Sequence, residues 1–167
     1  MALHAPKNAA RLSDAILYAL RRDTRTTLAS LPDVSEGLEN VLYEKARSCT
    51  DYPAFLAAVK TKRYTLARLR RIAMHALLGV DKAFVARHPA PRYLRVLGVR
   101  RDALALLSAL SECASLPVVA GYQDYAALNG MAKEQFDLDL FAGELSSMAA
   151  PAPEAASSEF SRPLLIV

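Results

Sequence analysis

Cysteine and long apolar runs are both scarce in this sequence. Its two cysteines, Cys49 and Cys113, show no C-x-x-C spacing, which argues against a disulfide framework and against a cysteine-based metal site. No run of about 18 uncharged apolar residues occurs, so no membrane-spanning helix is predicted. The stretch from Met1 to Lys7 lacks the apolar segment of an export signal. We therefore expect a cytoplasmic protein without membrane contact.

Recognisable catalytic motifs are also absent. The three histidines, His4, His75 and His88, form no H-x-G-H, H-E-x-x-H or triad pattern, and neither a P-loop nor a G-x-G-x-x-G motif occurs. Asp137 and Asp139 are two residues apart, so on a helix their carboxylates diverge and make a poor acid–base pair. The residues alone predict no catalytic group, no metal ligand and no cofactor for this chain.

Acidic residues are almost missing from the middle of the chain. From Lys60 to Arg101, twelve lysines and arginines accompany one acid, Asp81, whereas residues 102–167 hold two cations and nine acids. Within the basic middle, Lys60–Arg71 carries six cations and no acid. The net charge of +4 therefore conceals a polarised molecule. Such a charge distribution favours an extended polyanion as a partner over a small acid.

The first half of the chain has the apolar periodicity of helices. Apolar residues recur there at spacings of three and four, and the polar segment Arg21–Ser30 interrupts the pattern. Asp33 and Glu36 have the spacing of a capping box at a helix start. The predicted helices run from about Asn8 to Arg22, from Asp33, from Asp51, and from about Thr65 to Leu78 before Gly79.

The periodicity changes after this helical half. Tyr93–Val99 and Leu116–Ala120 are short apolar runs typical of strands. Asp102–Ala114, between them, is apolar around most of its circumference and is predicted to be a helix buried against a sheet. A strand, a helix and a strand in this order predict a βαβ unit with parallel strands.

The acidic end of the chain completes the predicted fold. Residues 122–147 read as two helices interrupted near Asn129 and Gly130, residues 149–161 as a mobile loop, and Arg162–Val167 as a third strand. The predicted class is α+β and mainly α: a helical bundle followed by a small βαβ-containing unit with a two- to three-stranded, largely parallel sheet. We expect subdomains 1–90 and 91–167, packed together as one module.

The basic stretch opens the last helix of the bundle and suggests a polyanion site. Tyr64, Arg68, Arg71 and His75 follow one another at spacings of four, three and four, so they are predicted to face outward, opposite the leucines. Guanidinium groups bind phosphate oxygens bidentately, and a tyrosine ring can stack on an unpaired base. The alternative interpretation is a solvated basic face. The candidate RNA contacts are Lys60, Lys62, Arg63, Tyr64, Arg68, Arg71 and His75.

Arg100 and Arg101 form a second, weaker candidate site for an anion. They lie at the end of a predicted strand and just before a helix N-terminus, where anions are often held. No glycine-rich loop accompanies them, so two surface arginines are the alternative. Arg95, inside a predicted strand, must reach either solvent or a partner.

Three segments carry a resemblance to a known family. Asp33-Val-Ser-Glu-Gly-Leu-Glu-Asn40, Lys60–Arg71 and Tyr93-Leu-Arg-Val-Leu-Gly98, in this order, resemble the C-terminal part of the bacterial tRNA(Met) cytidine acetate ligases. Those nucleotidyltransferase-like enzymes use ATP and acetate to acetylate the wobble cytidine of elongator tRNA(Met). Their adenylate-forming half carries H-x-G-H, which this sequence lacks. The resemblance therefore implies a module that lacks the catalytic half of the family. ATP and acetate would bind to that missing half.

Three functional hypotheses remain at this point. The leading one is a tRNA-binding module of a tRNA-modifying ligase. The second is a protein-interaction module that docks a separate nucleotidyltransferase domain, an acidic partner, or a second copy of itself. The third is a helix-turn-helix in double-stranded DNA, ranked last because the polar face lacks Asn or Gln for reading bases.

Overall fold

The structure is a computed structural model that describes residues 8–150 and 164–167. These residues form two compact units, one built from residues 8–87 with 148–150 and the other from residues 88–147 with 164–167. The class predicted from sequence, α+β and mainly α with short parallel sheets, is confirmed. No helix within the described ranges combines the length and the apolarity needed to cross a membrane.

The first unit is helical. Asn8 accepts a hydrogen bond from the Ala10 N–H and starts a 3-10 turn, Ala9–Leu12, that leads into the first helix. Asp51 caps another helix through the Ala54 N–H, at 2.7 Å, as the sequence predicts. Its α-helices within the described residues are α1 Ser13–Arg22, α2 Arg25–Ser30, α3 Leu38–Ser48, α4 Tyr52–Val59, α5 Leu66–Leu78 and α6 Lys82–Arg87.

Two local predictions for the first unit are wrong. The segment Arg21–Ser30 contains α2, because the Thr24 hydroxyl accepts from the Thr27 N–H and restarts a helix after a short break. The helix predicted to start at Asp33 starts at Leu38 instead. Asp33 and Glu36 have positive φ angles of 65° and 62°, which a helix does not permit, and their carboxylates bind arginines rather than backbone N–H groups.

The core of the first unit is formed by leucine-rich faces of these helices. α1, α3 and α5 contribute side chains with no exposed surface, among them Ile16, Leu42 and Ile72. Phe55 and Val59 of α4 add the aromatic and branched part of the core. Burial of this many apolar side chains is the main stabilising term for such a unit.

In the part of the chain that the structure describes, the second unit holds the strands and three α-helices. β1 pairs with β3 in parallel, with Leu94 opposite Val118, and β2 pairs in parallel with β4, with Gly98 opposite Leu165. Its core is small and centres on Phe136, whose ring lies 4.8 Å from that of Tyr93. Its elements are β1 Leu94–Arg95, β2 Gly98–Val99, α7 Leu104–Cys113, β3 Val118–Val119, α8 Tyr122–Ala127, α9 Gly130–Met148 and β4 Leu165–Ile166.

The prediction of a parallel βαβ unit is confirmed by β1, α7 and β3, but two details differ. The run Tyr93–Val99 is interrupted at residues 96–97, so its halves pair with different strands and the last strand joins a separate two-stranded sheet. None of the ten residues of α7, all described, is buried, so the predicted burial of this helix is wrong. Of the predicted loop 149–161, only residues 149 and 150 lie within the described residues.

Candidate nucleic-acid interface

The basic residues of the first unit are positioned by α5 and the turn before it. The Thr65 hydroxyl accepts from the Arg68 N–H at the start of the helix, and Gly79 ends it with a φ of 71°. Leu69, Ile72 and Ala76 are buried, as the sequence predicts. The apolar face therefore fixes which side of α5 can meet a ligand.

The open face of α5 is rotated from the predicted one. Ala67, Arg70 and Arg71 are exposed, whereas Arg68 and His75 are partly buried. The reason is that a loop between α2 and α3 covers the flank on which Arg68 and His75 lie. We call residues Asp33–Glu36 the acidic loop.

The prediction that Tyr64 faces outward is wrong. Its side chain belongs to the hydrophobic core and the residue is 8 % exposed. Tyr64 lies before the first helical residue, in a turn where its N–H donates to the Thr61 hydroxyl and its carbonyl accepts from the Thr61 N–H. The helical spacing used to place it therefore does not apply, and its ring is not available for stacking on a base.

Three arginines of the candidate site contact the acidic loop. Arg71 Nε donates to Asp33 Oδ2 at 2.8 Å, and Arg68 Nε donates to the Asp33 carbonyl at 2.8 Å. Arg68 also donates from Nη2 to the Ser35 hydroxyl, at 2.9 Å. Arg63 donates from Nε and Nη2 to Glu36 Oε2. The loop thus orients this row of guanidinium groups and offsets part of their charge.

The same contacts shift the titration of two groups. The hydrogen bond from Arg71 lowers the pKa of Asp33, against an opposing effect of burial. Burial lowers the pKa of His75, an effect that the neighbouring Asp33 carboxylate partly offsets. Within the described residues the buried Nδ1 of His75 has no hydrogen-bond partner. His75 is therefore held mainly as a neutral side chain and adds little cationic charge to the site.

Three further cations are exposed and lack a carboxylate partner among residues 8–150 and 164–167: Lys60, Lys62 and Arg70. Lys60 and Lys62 were predicted from sequence. Arg70 was missed because the face predicted to point outward, with Arg68 and His75, lies on the flank of α5 that the acidic loop covers. Its position one turn after Ala67 and beside Arg71 is the signal that could have included it.

Arg100 and Arg101 belong to the second unit. Arg100 pairs with Asp102, its Nε lying 3.1 Å from Oδ1, so its charge is largely satisfied locally. Arg101 is exposed, and its backbone N–H donates to the Val167 carbonyl. Arg95 finds a partner in Asp139, at 2.7 Å, which explains its place in a strand.

The described residues contain no group of three or more histidine, cysteine or acidic side chains that could hold a metal ion. The exposed cations of the first unit offer hydrogen-bond donors. Arranged on one helix and the turn before it, such donors can bind several phosphates of one polyanion.

Comparison with known proteins identifies the family. Residues 2–160 match the family described as HIGH Nucleotidyl Transferase, and the chain belongs to that family.

The chain is similar to the tRNA(Met) cytidine acetate ligase of Thermoanaerobacter sp. (strain X514), with 31% identity over 160 residues, covering 96% of this chain and 39% of that protein. The ligase of Thermotoga maritima is 31% identical over 154 residues, which cover 86% of this chain and 37% of that protein. The chain therefore spans about two fifths of the length of the curated relatives that it matches.

A solved structure of a relative has the same fold. The crystal structure of Thermotoga maritima TmcAL bound with alpha-thio ATP superposes with a TM-score of 0.85 at 28% identity, covering 98% of this chain and 43% of that one. A second crystal structure of the same protein, without ligand, gives a TM-score of 0.83 over 95% of this chain.

Proposed function

We propose that this chain is a tRNA-binding module of a tRNA-modifying ligase, and that it grips tRNA phosphates with α5 and the turn before it. The observation that carries the proposal is the set of exposed cations on α5 and in the turn before it that lack carboxylate partners among the described residues, Lys60, Lys62 and Arg70. Surface cations grouped on one face are the usual footprint of a nucleic-acid site.

The relatives support the choice of tRNA as the polyanion, because their names describe ligases that act on tRNA(Met). The sequence has no H-x-G-H motif. We therefore propose that the chain corresponds to the C-terminal part of such a ligase, and that ATP and acetate bind to the part of the relatives that this chain does not match. No step of the acetylation is assigned to a residue of this chain.

The mode of binding follows from the donors. Each guanidinium can offer two parallel N–H groups to one phosphate, whereas each lysine acts as a point charge. If three or four of these groups meet phosphates, the slope of log affinity against log salt is roughly −2 to −3 on the scale for single-stranded RNA. Stacking of a base on Tyr64 contributes little to tRNA affinity, because the ring of Tyr64 is buried.

The proposal predicts that tRNA affinity depends on Arg70 and Arg71. Titration of the chain with an elongator tRNA(Met) transcript at two salt concentrations should give tight, salt-sensitive binding. Arg70→Gln with Arg71→Gln should weaken it about tenfold or more and reduce the salt slope by roughly 1 to 2, since each phosphate contact contributes roughly 0.7 unit on the single-stranded scale.

A control that removes one positive charge, as each of the two α5 changes does by itself, is Lys45→Gln. Lys45 is exposed on α3, seven residues beyond its first residue, and is therefore about 10 Å along the helix from the acidic loop. This change removes one positive charge and should leave tRNA affinity within about twofold. The proposal would be rejected if Lys45→Gln lowered tRNA affinity as much as the α5 changes do. It would also be rejected if the changes at Arg70 and Arg71 left tRNA affinity at the wild-type value.

One observation favours a second function, the docking of another protein domain. α7, with the sequence Leu-Ala-Leu-Leu-Ser-Ala-Leu-Ser-Glu-Cys, is apolar, yet all ten of its described residues keep solvent exposure. Leu106 is 68% exposed. A surface of this kind on a helix is typical of an interface, and a separate nucleotidyltransferase domain is the occupant we propose.

A further inference from the structure

We infer that Asp33 is a positioning residue for tRNA binding: its carboxylate holds Arg71 by the Nε side so that the outer edge of the guanidinium faces a phosphate. This inference rests on the proposed function and goes beyond it, because it gives an acidic residue a supporting role in a site for a polyanion. Its basis is the way in which the acidic loop meets α5.

The geometry of Arg71 divides its donors between two directions. Nε is engaged with Asp33 Oδ2 at 2.8 Å, while Nη1 and Nη2 have no partner among the described residues and the side chain is 57% exposed. A guanidinium has five N–H donors in a rigid plane, so one edge can bind a carboxylate while the other edge binds a phosphate. Fixing the plane in advance saves the entropy that binding would otherwise cost.

The acidic loop is itself held firmly. Leu31, just before the loop, and Val34, within it, are buried, and Lys82 Nζ donates to the carbonyls of Ala29 at 2.7 Å and Val34 at 2.9 Å. Arg68 binds the Asp33 carbonyl, so the same residue is fixed through its backbone as well as its side chain.

The backbone of the acidic loop adds a second indication. Asp33 and Glu36 both have φ angles in the left-handed region, at 65° and 62°, and each of them binds an arginine through its side chain. Residues other than glycine enter this region at a cost that surrounding contacts must offset. Here the unusual backbone conformation directs the Asp33 and Glu36 carboxylates toward Arg71 and Arg63.

The alternative role of Asp33 would be to reduce the charge of the site. A carboxylate near a phosphate repels it, so on charge alone removal of Asp33 would strengthen tRNA binding. The positioning role predicts the opposite sign. The two roles can therefore be separated by the direction of one affinity change.

The test is a double-mutant cycle of Asp33→Asn and Arg71→Gln in the full chain, titrated with the elongator tRNA(Met) transcript. Asparagine tolerates a positive φ, so the fold should be kept, while its neutral amide accepts a weaker hydrogen bond from the Arg71 guanidinium than the carboxylate does. Asp33→Asn should weaken binding about two- to tenfold, the cost of immobilising one long side chain. In the Arg71→Gln background it should cause no further loss, because its target is gone.

The control for charge is Glu39→Gln. Glu39 lies in the first turn of α3, and its side chain accepts only from Asn40 among the described residues, so this change removes one negative charge without releasing an arginine. Its affinity should equal that of wild type or be slightly higher. A second variant, Arg71→Lys, tests the role without touching Asp33: it keeps the charge but cannot bridge a carboxylate and a phosphate, and should weaken binding to a similar degree.

Tighter binding by Asp33→Asn, or losses from Asp33→Asn and Arg71→Gln that add, would overturn the positioning role while leaving tRNA binding in place. Wild type that shows no salt-sensitive tRNA binding would overturn both proposals together. If Asp33→Asn fails to fold, a wild-type affinity for Arg71→Lys still rejects the inference.

Discussion

His75 shows how one side chain ties the stability of the first unit to pH. Burial lowers its pKa below the ordinary value of 6.5, so the folded chain holds the neutral form to lower pH than the unfolded chain does. The unfolded state therefore binds more protons below about pH 6.5. The stability that comes from burying neutral His75 is fully present above that pH. It is lost as the pH falls through the lowered pKa of His75 in the folded chain.

We predict that His75→Gln removes this part of the pH dependence. Between about pH 7 and pH 5, the free energy of unfolding of wild type should fall more steeply than that of the variant, because only wild type has the His75 imidazole to protonate. Denaturant titrations at several pH values measure both slopes. His4 and His88 are present in both proteins and cancel in the comparison, so identical slopes would contradict the role of His75.

At this scale the sequence predicted residue types better than their orientations. Leu69 and Ile72 are buried and Arg71 is exposed, because the helical period places them once the helix is known. Tyr64 and Arg70 were misplaced for related reasons. The period was extended into a turn at Tyr64, and the loop that covers the flank of α5 comes from a distant part of the sequence that periodicity cannot bring into contact.

Among the elements, α5 is the one whose boundaries matter for the site. Thr65 caps its start and Gly79 ends it with a φ of 71°. At Gly79 an added Cβ would meet no atom within 4 Å, so any cost of substitution there comes from the backbone alone. Glycine is favoured because it adopts this conformation without strain.

Gly79→Ala should therefore destabilise the first unit by about 1 kcal/mol, the cost of a left-handed conformation for an alanine. Gly79→Asn is the matched control, since asparagine also enters this region readily, and it should lose clearly less. Thermal or denaturant unfolding of the three proteins ranks them. An alanine variant as stable as wild type would mean that the end of α5 can rearrange.

The elements themselves were predictable where a cap and a period agree. Asp51 and Thr65 mark the starts of α4 and α5, and both were found. The carboxylates Asp33 and Glu36 have capping spacing but bind Arg71 and Arg63, contacts over more than 25 residues that local rules do not contain. α7 was predicted to be buried because it is apolar, yet burial depends on what is available to cover a helix.

On the scale of the whole molecule, the two units differ in how completely they bury their apolar residues. The first has a continuous core, while the buried centre of the second consists of Val119, Leu128 and Phe136 within the part of the chain that the structure describes. On the second unit, Leu106 of α7 and Leu165 of β4 are exposed to solvent, the latter to 61%. An apolar surface of this kind gains free energy when another surface covers it.

If a nucleotidyltransferase domain covers α7, the part of the Thermotoga maritima ligase outside the matched region should bind this chain when it is expressed separately. Leu106→Lys should weaken that binding about tenfold or more, because it places a charge in the apolar centre of the interface. Leu97→Lys is the control, since Leu97 is 69% exposed but lies between β1 and β2. Calorimetric titration measures the affinities, and light scattering of the chain alone measures its mass. If wild type has twice the mass of one chain and Leu106→Lys has the mass of one chain, the occupant of α7 is a second copy instead. If Leu106→Lys does not change the affinity for the ligase part, α7 is not the interface.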